Sequence, residues 1–283
     1  MSFTRANNEL CLLCEINKAD QCNSHIVPNF FTNGLFRTDH KKFPFYIGAN
    51  GESRKTQGIP HIDHVFCCEC ERKFAVLETY VANKLRHLHS ILCFTKFSVA
   101  RNSQLAWKTN SSLDPAIFRL FIYSIIWRCA AISKFFPAET VSENQTNPKI
   151  DFRFFNHFII PDEIIILLQQ NLNSMMEISQ QSLIDKRDEI KKAISYFPIG
   201  FFTYEKKILE ETRVFSLNAD NGSFVFLNLN DYKLVCLFSN NRIFESINSV
   251  LIAKNEDIVK ICTLPDDKWN NIGQQFYHDL IRK

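Results

Sequence analysis

Ten cysteines stand in this chain of 283 residues, and four of them form two short pairs: Cys11 and Cys14 in "LCLLCE", Cys67 and Cys70 in "FCCECE". A CxxC turn points two thiolates at one place. Two such turns supply the four soft ligands of a tetrahedral Zn²⁺, whose binding releases the thiol protons and drives folding. The bland alternative is a set of scattered buried thiols, and Cys68, inside the second pair, could stand in for one of its members. Cys22, Cys93, Cys129, Cys236 and Cys262 have no partner at that spacing and read as core residues. Between the pairs, "QCNSHIVPNF" carries His25, whose neutral imidazole suits general-base work near neutral pH. Glu71 follows the last paired cysteine and is a hard oxygen donor of the kind Mg²⁺ accepts. Glu78 lies two helical turns further, on the same side of a helix. "PHIDHVFCC" adds His61, Asp63 and His64, which could complete a metal site or form a polar edge strand.

These side chains need a scaffold that brings position 11 to position 67. Residues 1–92 are rich in turn signals and hold a candidate β-hairpin around "FPFYIGANGES". Phe74, Leu77, Val81, Leu85 and Leu88 recur at helical spacing, so a helix is expected to begin within the second cysteine group. Its end, "KLRHLHS", places Lys84, Arg86, His87 and His89 either toward phosphate or on a solvated face. From 93 to 283 the pattern is different. Asp114 is a candidate N-cap with Pro115 at the first helical position. A run from Pro161 stays helix-compatible to about Phe197, with a break near Ser179 to Ser182. "PIGFFTYE", "RVFSLN", "GSFVFLNLN" and "YKLVCLFS" then predict an antiparallel sheet, and the stretch after Pro265 a terminal helix.

Composition limits the alternatives. Hydrophobic residues make up 46% of the chain, ordinary for a folded protein, with 27 Phe against 7 Gly. Much of the core must therefore be aromatic, and long glycine-rich phosphate loops are not expected. The start, "MSFTRANNEL", has no apolar run behind a basic tip, which makes a cytoplasmic, thiol-reducing setting the default. Residues 116–136 are strongly apolar, but Arg119, Arg128 and Lys134 divide them, so a buried helix is expected and no membrane partner. The net charge of +3 is small. It is unevenly spread, with basic residues in excess up to about residue 110 and acids in slight excess beyond, so a polyanionic partner belongs to the first part.

The order CxxC, then "SHIVP", then a CxxC opening a helix in "FCCECERKF", resembles the zinc-stapled HNH endonucleases. That resemblance implies a ββα-metal, treble-clef unit: an α+β chain with an N-terminal zinc-bound module at 1–92, followed at 93–283 by a helical region and an antiparallel sheet. It implies His25 as the general base, Ser24 in the position that often binds the catalytic Mg²⁺ or Mn²⁺, and Glu71 in the position of a second ligand. Glu71 would then be catalytic together with His25. The "SHIVP" and "CxxCE" stretches, with the helix "LDPAIFRLFIYSIIWRCAAIS", are also similar to uncharacterised bacterial proteins carrying "SHIIP" and "CxxCE". HNH proteins of bacteria often serve in defence against phage, which makes antiviral defence an expectation by analogy.

Two functions follow as expectations. The first is a metal-dependent nuclease hydrolysing phosphodiester bonds of DNA or RNA. Structural Zn²⁺ would sit on Cys11, Cys14, Cys67 and Cys70, and Lys41, Lys42, Arg54, Lys55, Arg72 and Lys73 would contact the phosphate backbone. The second is a non-catalytic zinc module acting as an interaction subunit that senses a protein or a nucleotide. No nucleophile and base stand at telling spacing beyond residue 115.

Overall fold

The computed structural model describes residues 9–31, 45–47, 53–55, 61–85, 97–102, 105–110, 112–135, 158–204, 215–220, 224–229, 232–238, 251–252 and 259–264. The chain is a mixture of helices and a sheet that is antiparallel apart from one pairing. Its first part is built from short pieces. Strand β1 (Ser24–His25) pairs antiparallel with β4 (His61–Ile62), setting Ser24 opposite Ile62 and His25 opposite His61. β2 (Phe45–Ile47) and β3 (Ser53–Lys55) form the expected hairpin. Helix α1 (Cys68–Leu85) follows, and buries Cys70, Phe74, Leu77, Val81 and Leu85 along one stripe, as the helical spacing predicts.

Helix α2 (Pro115–Phe135) is the central element. Asp114 Oδ1 accepts from the N–H groups of Ala116 (2.9 Å) and Ile117 (3.1 Å), and Pro115 occupies the first turn, where its missing N–H costs nothing. The helix is long and apolar enough to cross a membrane by composition, but 94% of its apolar window is buried inside the fold. A helix apolar on all sides needs neighbours on all sides. It packs against α1, α3 (Asp162–Met175) and α5 (Arg187–Ala193), and touches the sheet through rings, with Phe118 5.0 Å from Phe201. Between α3 and α5, Ser179 caps the short α4 (Gln180–Asp185) by accepting from Ser182 N–H. The helix-compatible stretch from Pro161 is thus three helices, the second of which restarts at the expected break.

The sheet has the order β5 (Phe97–Asn102), β6 (Leu105–Asn110), β12 (Val259–Leu264), β7 (Ile199–Tyr204), β10 (Tyr232–Leu237), β9 (Phe224–Leu229), β8 (Phe215–Asp220). The short β11 (Leu251–Ile252) also pairs with β7. The expected strands β7 to β10 form one half. The β5–β6 hairpin and β12 were not foreseen; β12 enters between β6 and β7 and runs parallel to β7.

Among the described residues the aromatic rings gather around α2 in several groups. Phe66, Phe74 and Trp127 pack between α1 and α2, with Phe66 edge-on to Phe74 at 5.1 Å and Phe74 stacked on Trp127. Phe30 and Phe31 lie in a 3₁₀ turn and reach Phe121 of α2, and Phe31 meets Tyr232 of the sheet. One continuous buried cluster runs from Cys11 through α2 to Ile261. Cys129 and Cys236 are in it, as expected, and burial pushes the Cys129 thiol up to about 12. Cys22 is not: it is exposed, on the turn that leads into β1. Cys93, Lys41, Lys42, Arg86, His87, His89 and the terminal helix lie outside the described residues.

Candidate metal centre and the His25 site

The four sulfurs of Cys11, Cys14, Cys67 and Cys70 lie within 4.8 Å of one another. A Zn–S bond of about 2.3 Å gives a tetrahedral edge of about 3.8 Å. Cys14 Sγ and Cys67 Sγ are 3.9 Å apart, close to that edge and far beyond a disulfide. The donors fit a structural metal ion such as zinc, and the chemistry without an ion agrees. Four thiolates cannot share so small a volume unaided. The Cys70 thiol donates to Cys11 and holds the latter's pKa down at about 5, while the same shared proton pushes Cys70 up. Burial first, then the charge on Cys11, raises Cys67. A divalent cation removes the conflict by letting all four ionise. Cys68 is exposed and takes no part in the cluster.

Local backbone bonds explain why the sulfurs converge. Cys11 N–H donates to Asn17 O (2.8 Å) and Glu15 N–H to Cys11 O (2.9 Å), closing a turn in which Glu15 takes φ 56°. Leu12 N–H donates to Val65 O (2.9 Å), bringing this turn to the second cysteine pair. Asn17 Nδ2 points at Cys67 Sγ at 3.8 Å, and a donor to a ligating sulfur favours its thiolate. Asp20 does the work of a helix cap from a distance: its Oδ1 accepts from Cys68 N–H (2.9 Å) at the start of α1. From α3, Gln169 Nε2 donates to Leu12 O and Leu13 O, and Asn173 Nδ2 donates to Leu13 O (2.7 Å), so the first pair is held from both sides.

The residues just before the second pair are occupied with holding turns. Asp63 Oδ1 accepts from Asn23 N–H (2.7 Å), stabilising Asn23 at φ 59°. His64 takes φ 58°, its N–H donates to Gln21 O (2.7 Å), and its Nδ1 lies 3.2 Å from Ala19 O. Asp63 and His64 therefore lie in the bend that follows β4 and hold backbone groups there, while His61 and Ile62 form the strand. The three non-glycine residues in left-handed backbone among the described residues, Glu15, Asn23 and His64, all lie in this module. Such positions are adopted by only a few per cent of non-glycine residues, and here all three sit in the tight turns around the cysteine pairs and β1.

Beside the cysteine cluster lies a second constellation. Ser24 is 2% exposed, its Oγ turned toward the Glu71 carboxyl, and side chains alternate along a strand, so His25 projects from the other face of β1 and is half-buried. Ser24 Oγ and Glu71 Oε1 are both buried, and neither has a hydrogen-bond partner. Burial raises the Glu71 pKa; Ser24 and the nearby charge of Arg128 act against it, and Glu78 acts with it. Glu78 does share a side with Glu71, as the spacing predicts, but it is engaged: Arg128 Nη1 meets its Oε1 at 2.7 Å. The same guanidinium donates to His25 O (2.8 Å) and lies 4.7 Å from the Phe74 ring centre. Arg128 was read from the sequence only as a charge that interrupts an apolar run. That interruption was itself the signal, since an arginine in a helix buried on all sides requires a partner.

The basic residues are dispersed. Arg72 is exposed on α1, and Lys73 is paired with Glu69 at 3.1 Å. Arg54 and Lys55 lie on β3, away from α1 in sequence and in a separate two-stranded sheet. No known protein family, curated protein or solved structure matches this chain.

Proposed function

We propose that residues 1–92 form a zinc-stapled, HNH-like treble-clef module that hydrolyses phosphodiester bonds, with His25 as general base. What supports this reading is the convergence of Cys11, Cys14, Cys67 and Cys70, which brings β1 beside the first turns of α1 with Ser24 toward Glu71, while His25 projects from the opposite face of β1. The neutral imidazole of His25 would take a proton from the attacking water. Glu71 and Ser24, whose buried oxygens lack well-formed partners, are the groups that would hold Mg²⁺ or Mn²⁺, the ion supplying counter-charge for the phosphorane-like transition state. Arg72 and the other basic side chains would follow the phosphate backbone, making binding salt-dependent and largely independent of sequence. DNA or RNA is the substrate, and bacterial antiviral defence in the cytoplasm is the setting that the family likeness suggests.

Purified zinc-loaded chain, incubated with Mg²⁺ or Mn²⁺ and with plasmid or RNA, should cut, and His25→Ala should stop cutting while zinc content and melting temperature persist. Equal cutting by the variant would remove His25 from catalysis. A second reading, a non-catalytic module that binds a protein or nucleotide partner, is favoured by one observation: Glu78 is tied up by Arg128 and Ser24 is buried, so the carboxyl pocket is partly filled. Absence of cutting with every ion and substrate, together with a zinc-dependent fold, would favour that reading.

A further inference from the structure

Arg128 is 1% exposed in a helix otherwise made largely of Ile, Phe, Trp and Ala. A guanidinium in that place has lost its water and needs protein partners for its N–H groups. Two of them turn back to its own helix, Nε to Ser124 O (3.2 Å) and Nη2 toward Ser124 Oγ (3.5 Å). Ser124 is oriented in turn by its bond to Phe121 O (2.7 Å). Nη1 leaves the helix and bridges two groups of the His25 site, Glu78 Oε1 and the backbone oxygen of His25. The plane of the group rests on Phe74, which fixes its orientation.

Charge balance alone accounts for Glu78 but not for the bond to His25. That bond joins residues 103 positions apart and lands on a strand only two residues long, which among the described residues pairs with β4 alone. A strand so short is weakly defined by its own ladder. The planar fork of Arg128 therefore fixes the peptide from which the imidazole projects, and does so from the side of the helical region. Lysine could place its ammonium near both acceptors, but it lacks the Nε and Nη2 bonds to Ser124 and the planar face on Phe74 that fix the head group.

We propose that Arg128 is a positioning residue for His25: by gripping the His25 carbonyl and Glu78 together, it couples helix α2 to the orientation of the imidazole. The inference rests on the nuclease reading for its catalytic consequence, but its structural content is measurable without activity.

The test uses the full zinc-loaded chain as wild type, Arg128→Met and Arg128→Lys. In hydrogen exchange, the amides of Ser24 and His25 in β1 should exchange at least about tenfold faster in Arg128→Met, with those of α3 unchanged. In cleavage, Arg128→Met should lose on the order of 10²-fold in kcat with KM nearly unchanged, and Arg128→Lys should recover part of that loss. A purely structural arginine would lower the melting temperature and leave kcat of the folded protein alone. Unaltered β1 exchange, or wild-type kcat in zinc-loaded Arg128→Met, overturns the proposal. If Arg128→Met does not fold, Arg128→Lys decides, because a lysine without the anchors to Ser124 holds the His25 carbonyl less firmly and must still speed β1 exchange. If wild type cuts nothing, the nuclease reading fails and the exchange result alone decides the role of Arg128.

Discussion

Loading zinc into the metal-free chain at pH 7 should release about three protons per ion, not four. A thiol is protonated at neutral pH by default. In this cluster Cys11 is the exception, held at about 5 by the proton it shares with Cys70, while Cys67 and Cys70 are pushed up. One of the four ligands is therefore ionised before the metal arrives, and three protons remain to be displaced. Between about pH 6 and the ordinary thiol range the apparent affinity should rise about a thousandfold per pH unit, equivalent to about 4 kcal/mol at 1.36 kcal/mol for each proton. As the pH falls below the Cys11 value the slope should steepen toward four. The sign is fixed: acid weakens zinc binding, and the stability that zinc supplies is lost as pH falls. Calorimetric titration in buffers of different ionisation enthalpy counts the protons directly. A count near four would mean that Cys11 is not ionised in the metal-free protein and that the cluster is not preformed. A count near zero would refute a thiolate site altogether.

Other outcomes follow from single contacts. Glu78→Ala leaves Arg128 buried and without its carboxylate, and should lower stability in urea by about 3 kcal/mol, with Glu78→Gln losing less; an unchanged midpoint in both would mean the pair contributes nothing. Asp114→Ala removes the acceptor for two N–H groups at the start of α2 and should destabilise by about 1 kcal/mol in the same assay. Glu71 has a raised pKa in the folded chain, so the native state binds more protons than the unfolded state and this carboxyl erodes stability as pH rises from the ordinary carboxylate range through the folded value. Melting curves of zinc-loaded Glu71→Gln against wild type should show the variant gaining relative stability as pH increases, and a constant difference would contradict the raised value.

Much of this could be read from the chain, and the failures have physical causes. The paired cysteines were legible because a CxxC turn is a local device whose product does not depend on the rest of the fold. Asp114, Pro115 and Ser179 were legible because a cap is settled within three residues. The hairpin of β5 and β6 was missed because "FSVARN" and "LAWKTN" mix charged, polar and apolar residues with no sustained alternation. β12 was missed because its place, inserted between β6 and β7 and parallel to one of them, is set by packing at long range. Asp20 and Arg128 were missed as site residues for a related reason: each acts on a group far away in the chain, Cys68 in one case and His25 in the other. Spacing reports neighbours in sequence, and these are neighbours only in space. Cys22 was misplaced in the core because a thiol without a pair is assigned by average burial, whereas here it sits on a turn.

The distance along the chain between Cys14 and Cys67, 53 positions, has a kinetic side. The first pair can form its turn early from local bonds, but it remains half a metal site until the second pair has been synthesised and has diffused back to it. Closing a flexible loop of that length costs roughly 3.5 kcal/mol plus a constant, and doubling it would add only about 0.6 kcal/mol. The clamp is thus nearly indifferent to how many residues lie between its halves. Lengthening the loop between the two pairs should slow closing and weaken the clamp by the same small factor, about threefold for a doubling, because the opening rate does not depend on loop length.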